Sequence, residues 1–172
     1  HAQRNKWLNN ITGLKYFNVY GPNEDHKGEM RSLVNKAYHQ ISQTGKIKLF
    51  RSHKADYKDG EQQRDFLYIK DAVAMTLHLA ATPTATGLYN IGSGQANTWV
   101  SLANAIFSAM AMEPQIEFID IPESIREKYQ YFTQADISKL REAGYEKQFT
   151  PMSEAVKDYV QKYLAKEKRL GD

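Results

Sequence analysis

A regular alternation of strand-like runs and helical periods constrains this chain more than any other feature. Gly13–Tyr20 (GLKYFNVY) alternates, carries aromatic and β-branched residues and stops at Gly21-Pro22, which predicts a strand followed by a polar loop through Gly28. From Met30 to Ile41 the apolar positions Leu33, Val34, Ala37 and Ile41 share a helical face, closed by Thr44-Gly45 before a strand over Ile47–Phe50. Arg64–Ile69 reads as a strand. The helix from Asp71 to Ala81 is expected to bury Val73, Ala74, Leu77 and Ala80 or Ala81, with Asp71 well placed in its first turn. Residues 87–94 (GLYNIGSG) form a strand ending in a Gly-rich turn, and Thr98–Met110 a helix with Leu102, Ala105, Ile106, Ala109 and Met110 on one face. Gln115–Ile121 supplies another strand. This grammar favours α/β units over an all-α or all-β body.

Thr133 with Asp136 resembles a capping box opening a short helix to Glu142, which Gly144 stops. Thr150-Pro151 starts a last helix with Val156, Tyr159, Val160, Tyr163 and Leu164 on one side, before a charged tail at 165–172. Residues 51–63 (RSHKADYKDGEQQ) lack periodicity and read as an exposed loop. At 172 residues, with 41% hydrophobic and 25% charged, the chain is long enough for one packed domain and too apolar for disorder. Without Cys it has no disulfide, thiol chemistry or Cys-based metal centre. A net charge of +3 is too mild to imply nucleic acid, and no apolar run approaches the roughly 18 residues of a membrane span. The opening segment, residues 1–10, is polar and reads as internal to a longer polypeptide.

Several side chains fit ligand chemistry. Lys27, in a loop just past the first strand, is placed to meet phosphate or exchange a proton, or else is a solvated loop lysine. Arg64, Arg51, Lys54, Lys36 and His53 together suit a pyrophosphate, with Arg64 the strongest because guanidinium offers a rigid fork of donors; local pairing is the alternative. Gly92-Ser93-Gly94 lacks both the Walker and the dinucleotide spacing and reads as a tight connection. Tyr129, Tyr131 and Phe132 suit stacking on a ligand or a half-buried aromatic edge. His26, His39, His53 and His78 have no metal-ligand spacing, so no metal is expected.

The order of five segments is distinctive: YFNVYGP at 16–22, HKG at 26–28, RDFLYIKD at 64–71, LYNIGSG at 88–94 and YQYFTQADISKLREAGY at 129–145. Together they resemble the C-terminal half of the ADP-L-glycero-D-manno-heptose 6-epimerases, a family of extended short-chain dehydrogenase/reductases. The first, third and fourth are shared across nucleotide-sugar epimerases and dehydratases, whereas HKG and the FTQAD stretch narrow the choice. The resemblance implies an α/β fold: the C-terminal part of a Rossmann-like extended short-chain dehydrogenase/reductase with most of its small substrate domain. Residues 1–28 would be a late Rossmann strand and active-site loop, 29–64 a substrate-domain segment, 65–110 mainly Rossmann elements and 111–172 mainly substrate domain. The expectation at this stage is a fragment without its N-terminal NADP-binding half, inactive alone.

By the same resemblance the enzyme epimerises ADP-heptose at C6'' by oxidation and re-reduction on NADP, with NAD as the alternative. Lys27 is the implied second catalytic base, partner of an upstream Tyr that this chain lacks, and touches cofactor together with Val19; Asn18, Glu29, Lys36, Phe50, Arg51, Ser52, His53, Arg64 and Tyr129 are the implied substrate-binding residues. Glu29 and Lys36 depart from the usual Ser and His, and the 52–64 loop is longer than usual. A cytoplasmic homo-oligomer acting on an ADP-sugar, with no nucleic-acid or membrane partner, completes the expectation. Another nucleotide-sugar epimerase or dehydratase, or a noncatalytic nucleotide-sugar binder, are the alternatives.

Overall fold

The computed structural model of the protein describes residues 11–171, so the polar segment at 1–10 and the last residue of the tail lie outside the described residues. In chain order the elements are β1 (Thr12–Tyr16), β2 (Asn18–Tyr20), α1 (Leu33–Thr44), β3 (Ile47–Phe50), β4 (Gln63–Tyr68), α2 (Ile69–Ala80) and β5 (Gly87–Ile91). There follow β6 (Ala96–Thr98), α3 (Trp99–Ala109), β7 (Ile116–Ile119), α4 (Glu123–Arg126), α5 (Ser138–Glu142) and α6 (Met152–Lys162). β1 runs parallel to β5, β2 parallel to β4, and β3 parallel to β7, while β6 lies antiparallel on β4. Parallel neighbours need a crossover, and the helices between the strands supply it.

The run expected as one strand over Gly13–Tyr20 is two. Phe17 N–H donates to Ile91 O at the end of β5 (3.0 Å), and Val19 N–H turns back to Phe17 O (2.9 Å). The chain thereby changes partner from β5 to β4 and brings Asn18 and Val19 beside Phe66 and Leu67. Helix α1 begins at Leu33 rather than Met30 because the Ser32 hydroxyl accepts the Asn35 N–H and caps it there. The inward face is close to that expected, with Val34, Ala37 and Ile41 buried.

In α2 the expected face is wrong. Ala72, Met75 and Leu79 point inward, whereas Val73 and Leu77 are 45% and 63% exposed. The helix is apolar on most sides, so periodicity does not choose its orientation. The Asp71 carboxylate, which accepts from Thr150 N–H (2.9 Å) and Oγ1 (3.1 Å) ahead of α6, does help to fix it. The capping box at Thr133 is likewise absent. Gln63 N–H donates to Tyr131 O and Thr133 N–H to Gln63 O, so this stretch extends along β4, and Asp136 instead accepts from Ser138 N–H and Oγ to open α5.

Two apolar clusters hold the elements together. One packs Val34 and Ile41 of α1, Leu102, Ile106 and Phe107 of α3 and Val156, Tyr159 and Val160 of α6 over Ile47 and Leu49 of β3. The other packs Met75 and Leu79 of α2 against Tyr89 and Ile91 of β5, Leu140 and Tyr145. Among the described residues no helix is long and apolar enough to cross a membrane.

Candidate active site

The partner change at Phe17 opens two hollows that share Val19. One, about 410 Å³, is lined by Asn18 and Val19, by Met30 and Lys36 beyond the loop, and by Phe66 and Trp99. The other, about 500 Å³, has Phe17, Val19 and Ile69 as an apolar wall and Lys27 at its rim. Lys27 is exposed, and its ammonium has no hydrogen-bond or ion-pair partner among the described residues; only its N–H is tied, to Glu24 O (2.9 Å).

The loop that carries Lys27 rests on buried polar groups. Glu24, 3% exposed, accepts from Ser32 N–H (2.6 Å), Ser32 Oγ (2.6 Å) and the Tyr159 hydroxyl of α6 (2.9 Å). Asn35 donates to Asp25 and to the Tyr159 oxygen, both at 3.0 Å. Burial, with Glu24 and Asp25 nearby, pushes the Tyr159 phenol far up, although the Asn35 bond opposes the shift, so it stays a neutral donor. A buried carboxylate is tolerated only when so satisfied, which makes Glu24 a fixed anchor for the loop.

Next to the first hollow stands an aromatic wall. Phe50 meets Tyr129 edge-on (5.8 Å between centroids), Tyr129 meets Tyr131 (5.6 Å) and Tyr131 meets Tyr57 (5.0 Å). The Arg64 guanidinium lies 5.4 Å from the Tyr129 ring and 5.8 Å from Trp99, which also lines the hollow, so wall and hollow are continuous. Burial pulls the Arg64 pKa down and pushes the Tyr129 phenol up, the latter opposed by Arg64 itself. Arg64 donates to Gln63 O (2.8 Å) and to Gln130 O, so two of its donors brace backbone.

The implied residues therefore fall into groups. Asn18, Val19 and Lys36 share the first hollow, Val19 and Lys27 the second, and Phe50, Arg64 and Tyr129 the wall. Lys36 is also engaged locally, its Nζ donating to Glu29 O (2.9 Å), as are Arg51, whose Nε donates to Phe118 O (3.2 Å), and Ser52, whose Oγ donates to Lys54 O (2.9 Å). His53 N–H holds the Tyr131 hydroxyl at 2.8 Å, and Lys54 sits 4.7 Å over that ring.

Asp65 is a residue the sequence reading passed over. Fully buried, its carboxylate accepts from Ser93 N–H and Oγ (both 2.7 Å), Gly94 N–H (2.9 Å) and Ala135 N–H (3.0 Å). The amides of Ser93 and Gly94 are thus committed to a carboxylate, so this turn is a connection rather than a phosphate cradle. A Cβ at Gly92 would stand 2.4 Å from Ala135 Cβ, which is why the turn begins with glycine. The signal was an acid inside an apolar strand, which must find donors.

Parallel strands joined by helices, with a lysine loop and a cationic aromatic wall at the carboxyl ends of β2 and β3, define a Rossmann-like α/β protein with a ligand cleft at strand ends. The chain belongs to the NAD dependent epimerase/dehydratase family, whose model matches residues 1–92, more than half of its length. It is 52% identical over 164 residues to an ADP-L-glycero-D-manno-heptose-6-epimerase of Nitratidesulfovibrio vulgaris, covering 95% of this chain and 51% of that protein. The crystal structure of the Helicobacter pylori ADP-L-glycero-D-manno-heptose-6-epimerase superposes with a TM-score of 0.73 at 27% identity, over 90% of this chain and 44% of that one. A Bacillus cereus UDP-glucuronic acid 4-epimerase, solved with UDP-glucuronic acid and NAD, shares the fold at a TM-score of 0.68 and 22% identity, over 89% of this chain and 46% of that one.

The chain spans about half the length of the curated relatives it matches. The expectation of a remnant of the fold is corrected in one respect: the likeness is not confined to part of the chain. Sequence and fold correspond to epimerases over 90% or more of this chain, and its Rossmann-like extended short-chain dehydrogenase/reductase character belongs to the chain as a whole.

Proposed function

We propose that this protein interconverts ADP-D-glycero-D-manno-heptose and ADP-L-glycero-D-manno-heptose by epimerisation at C6'', through NAD(P)-dependent oxidation and re-reduction. The observation that carries the reading is the 52% identity to an ADP-heptose epimerase over nearly the whole chain. The residues present fit a nicotinamide: Phe17, Val19 and Ile69 offer an apolar wall for one ring face, with Lys27 at the rim. A nicotinamide held there would supply the hydride chemistry that oxidation and re-reduction at C6'' require.

The chain's own groups handle protons and position. Lys27 Nζ, without a hydrogen-bond or ion-pair partner among the described residues, takes the proton of the C6'' hydroxyl as the neutral amine, becomes the ammonium, and gives the proton back on reduction. Val19 touches cofactor and Asn18 the sugar at the strand end, while Glu29 and Lys36 flank the sugar. Phe50 and Tyr129 take the nucleotide, and Arg64 adds positive field beside the diphosphate, with Arg51, Ser52 and His53 along the same edge. We extend the reading to a cytoplasmic homo-oligomer, whose assembly light scattering on the purified protein tests and whose location cell fractionation tests.

Turnover of ADP-D-glycero-D-manno-heptose, followed by NMR of the C6'' epimers, tests the function. Lys27→Ala is expected to lower turnover by about 10²- to 10⁴-fold with an unchanged melting temperature. Wild-type turnover in Lys27→Ala, or conversion of UDP-sugars only, would overturn it.

A further inference from the structure

The Lys27 ammonium has no hydrogen-bond or ion-pair partner among the described residues, so its position is set by the backbone of its loop. Beside the bonds that Asn35 makes to Asp25 and Arg31 to the Gly28 carbonyl, that loop has an inner and an outer tie. The inner one is Glu24, bonded to Ser32 and Tyr159. The outer one is Asn23, whose side-chain oxygen accepts from Leu170 N–H (2.9 Å) and whose amide nitrogen donates to Leu170 O (3.3 Å).

This reciprocal pair joins one side chain to both backbone groups of one residue. Two bonds fix direction as well as distance, as in a strand pair. Asn23 makes them from a left-handed backbone (φ 71°), a conformation that Asn tolerates better than most residues. After α6 and a short turn over Leu164–Lys166, the chain reverses at Glu167, itself left-handed (φ 52°), and so returns to the loop. The contact spans 147 positions, so no local turn accounts for it.

We infer that Asn23 is a positioning residue for Lys27, and that the C-terminal tail acts through it as a strap across the proton-transfer loop. The inference rests on the reading in which Lys27 carries the proton. With the strap in place, Lys27 is presented to the second hollow in one orientation. Without it, the loop keeps its inner ties at Glu24, Asp25 and Gly28 but loses its outer one, and Lys27 samples other orientations.

Asn23→Gly keeps the left-handed backbone and removes both bonds, and deletion of residues 169–172 removes the tail. Both should speed amide hydrogen exchange over residues 24–28 and lower kcat for ADP-heptose about 10- to 100-fold with little change in KM, since misplacing a reacting group costs rate more than binding. Asn23→Asp, which retains the bond from Leu170 N–H, should fall between and serves if the glycine variant does not fold. Unchanged exchange, or faster exchange with unchanged kcat, would overturn the strap. Wild-type turnover in Lys27→Ala would instead overturn the functional reading while leaving the exchange result intact.

Discussion

Gly28 shows how a single residue shapes the site. Its torsions (φ 54°, ψ −124°) belong to glycine, yet a Cβ built there meets nothing within 4 Å, so the demand is torsional and not steric. Its carbonyl accepts from Arg31 N–H (3.3 Å) and Nε (2.8 Å), which locks the kink beside Lys27. Gly28→Ala should therefore cost about 1–3 kcal/mol of backbone strain, seen as a lower melting temperature without any repacking; an unchanged melting temperature would mean that the loop relaxes freely. The place of Lys27, in a loop just past a strand, was legible in the sequence. Arg64 was legible only as a cation, since nothing in RDFLY says that two of its donors reach backbone carbonyls.

At the scale of elements, Asp65 binds three pieces of chain: β4, the turn after β5, and the FTQAD stretch. Asp65→Ala would leave three buried or half-buried backbone N–H donors, of Ser93, Gly94 and Ala135, without an acceptor, each worth about 1–3 kcal/mol. We expect a loss of at least about 3 kcal/mol in urea unfolding, with the aromatic wall disturbed through Ala135 and Tyr131. A loss below about 1 kcal/mol would show that water replaces the carboxylate. Most strands were legible from their composition, including Ile47–Phe50 to the residue, but the short β6 laid on β4 was not. The orientation of α2 was not, because a helix apolar on most sides is turned by its contacts, here through Asp71 and Thr150. The break at Phe17 was also hidden, since a change of pairing partner leaves no mark on alternation.

At the scale of the molecule, Asp158 ties α6 to the strand–helix junction at Tyr68 and Lys70. Burial opposes its ionisation, but bonds from Lys162, Lys70 and Tyr68 outweigh that and hold its pKa down at about 2. A carboxyl depressed in the folded state stabilises the protein above its unfolded value near 4, and that contribution is lost as pH falls toward about 2. The melting temperature should thus drop between about pH 4 and pH 2, and Asp158→Asn should flatten part of this drop. An identical acid profile in the variant would remove the junction from the account. The long-range ties, Asp158 to Lys70, Tyr159 to Glu24 and Leu170 to Asn23, were illegible in sequence because they join residues 88 to 147 positions apart. The alternation that predicts the elements says nothing of them.

The most direct test of the account follows a single hydrogen. ADP-D-glycero-D-manno-heptose carrying deuterium at C6'' is incubated with the protein and its nicotinamide cofactor in ordinary water, and the L epimer is examined by NMR. Oxidation and return on a held cofactor predicts that deuterium stays at C6'' in the product. Its replacement by solvent hydrogen would mean that the carbon is deprotonated instead, and would contradict the hydride-transfer account of the site around Lys27.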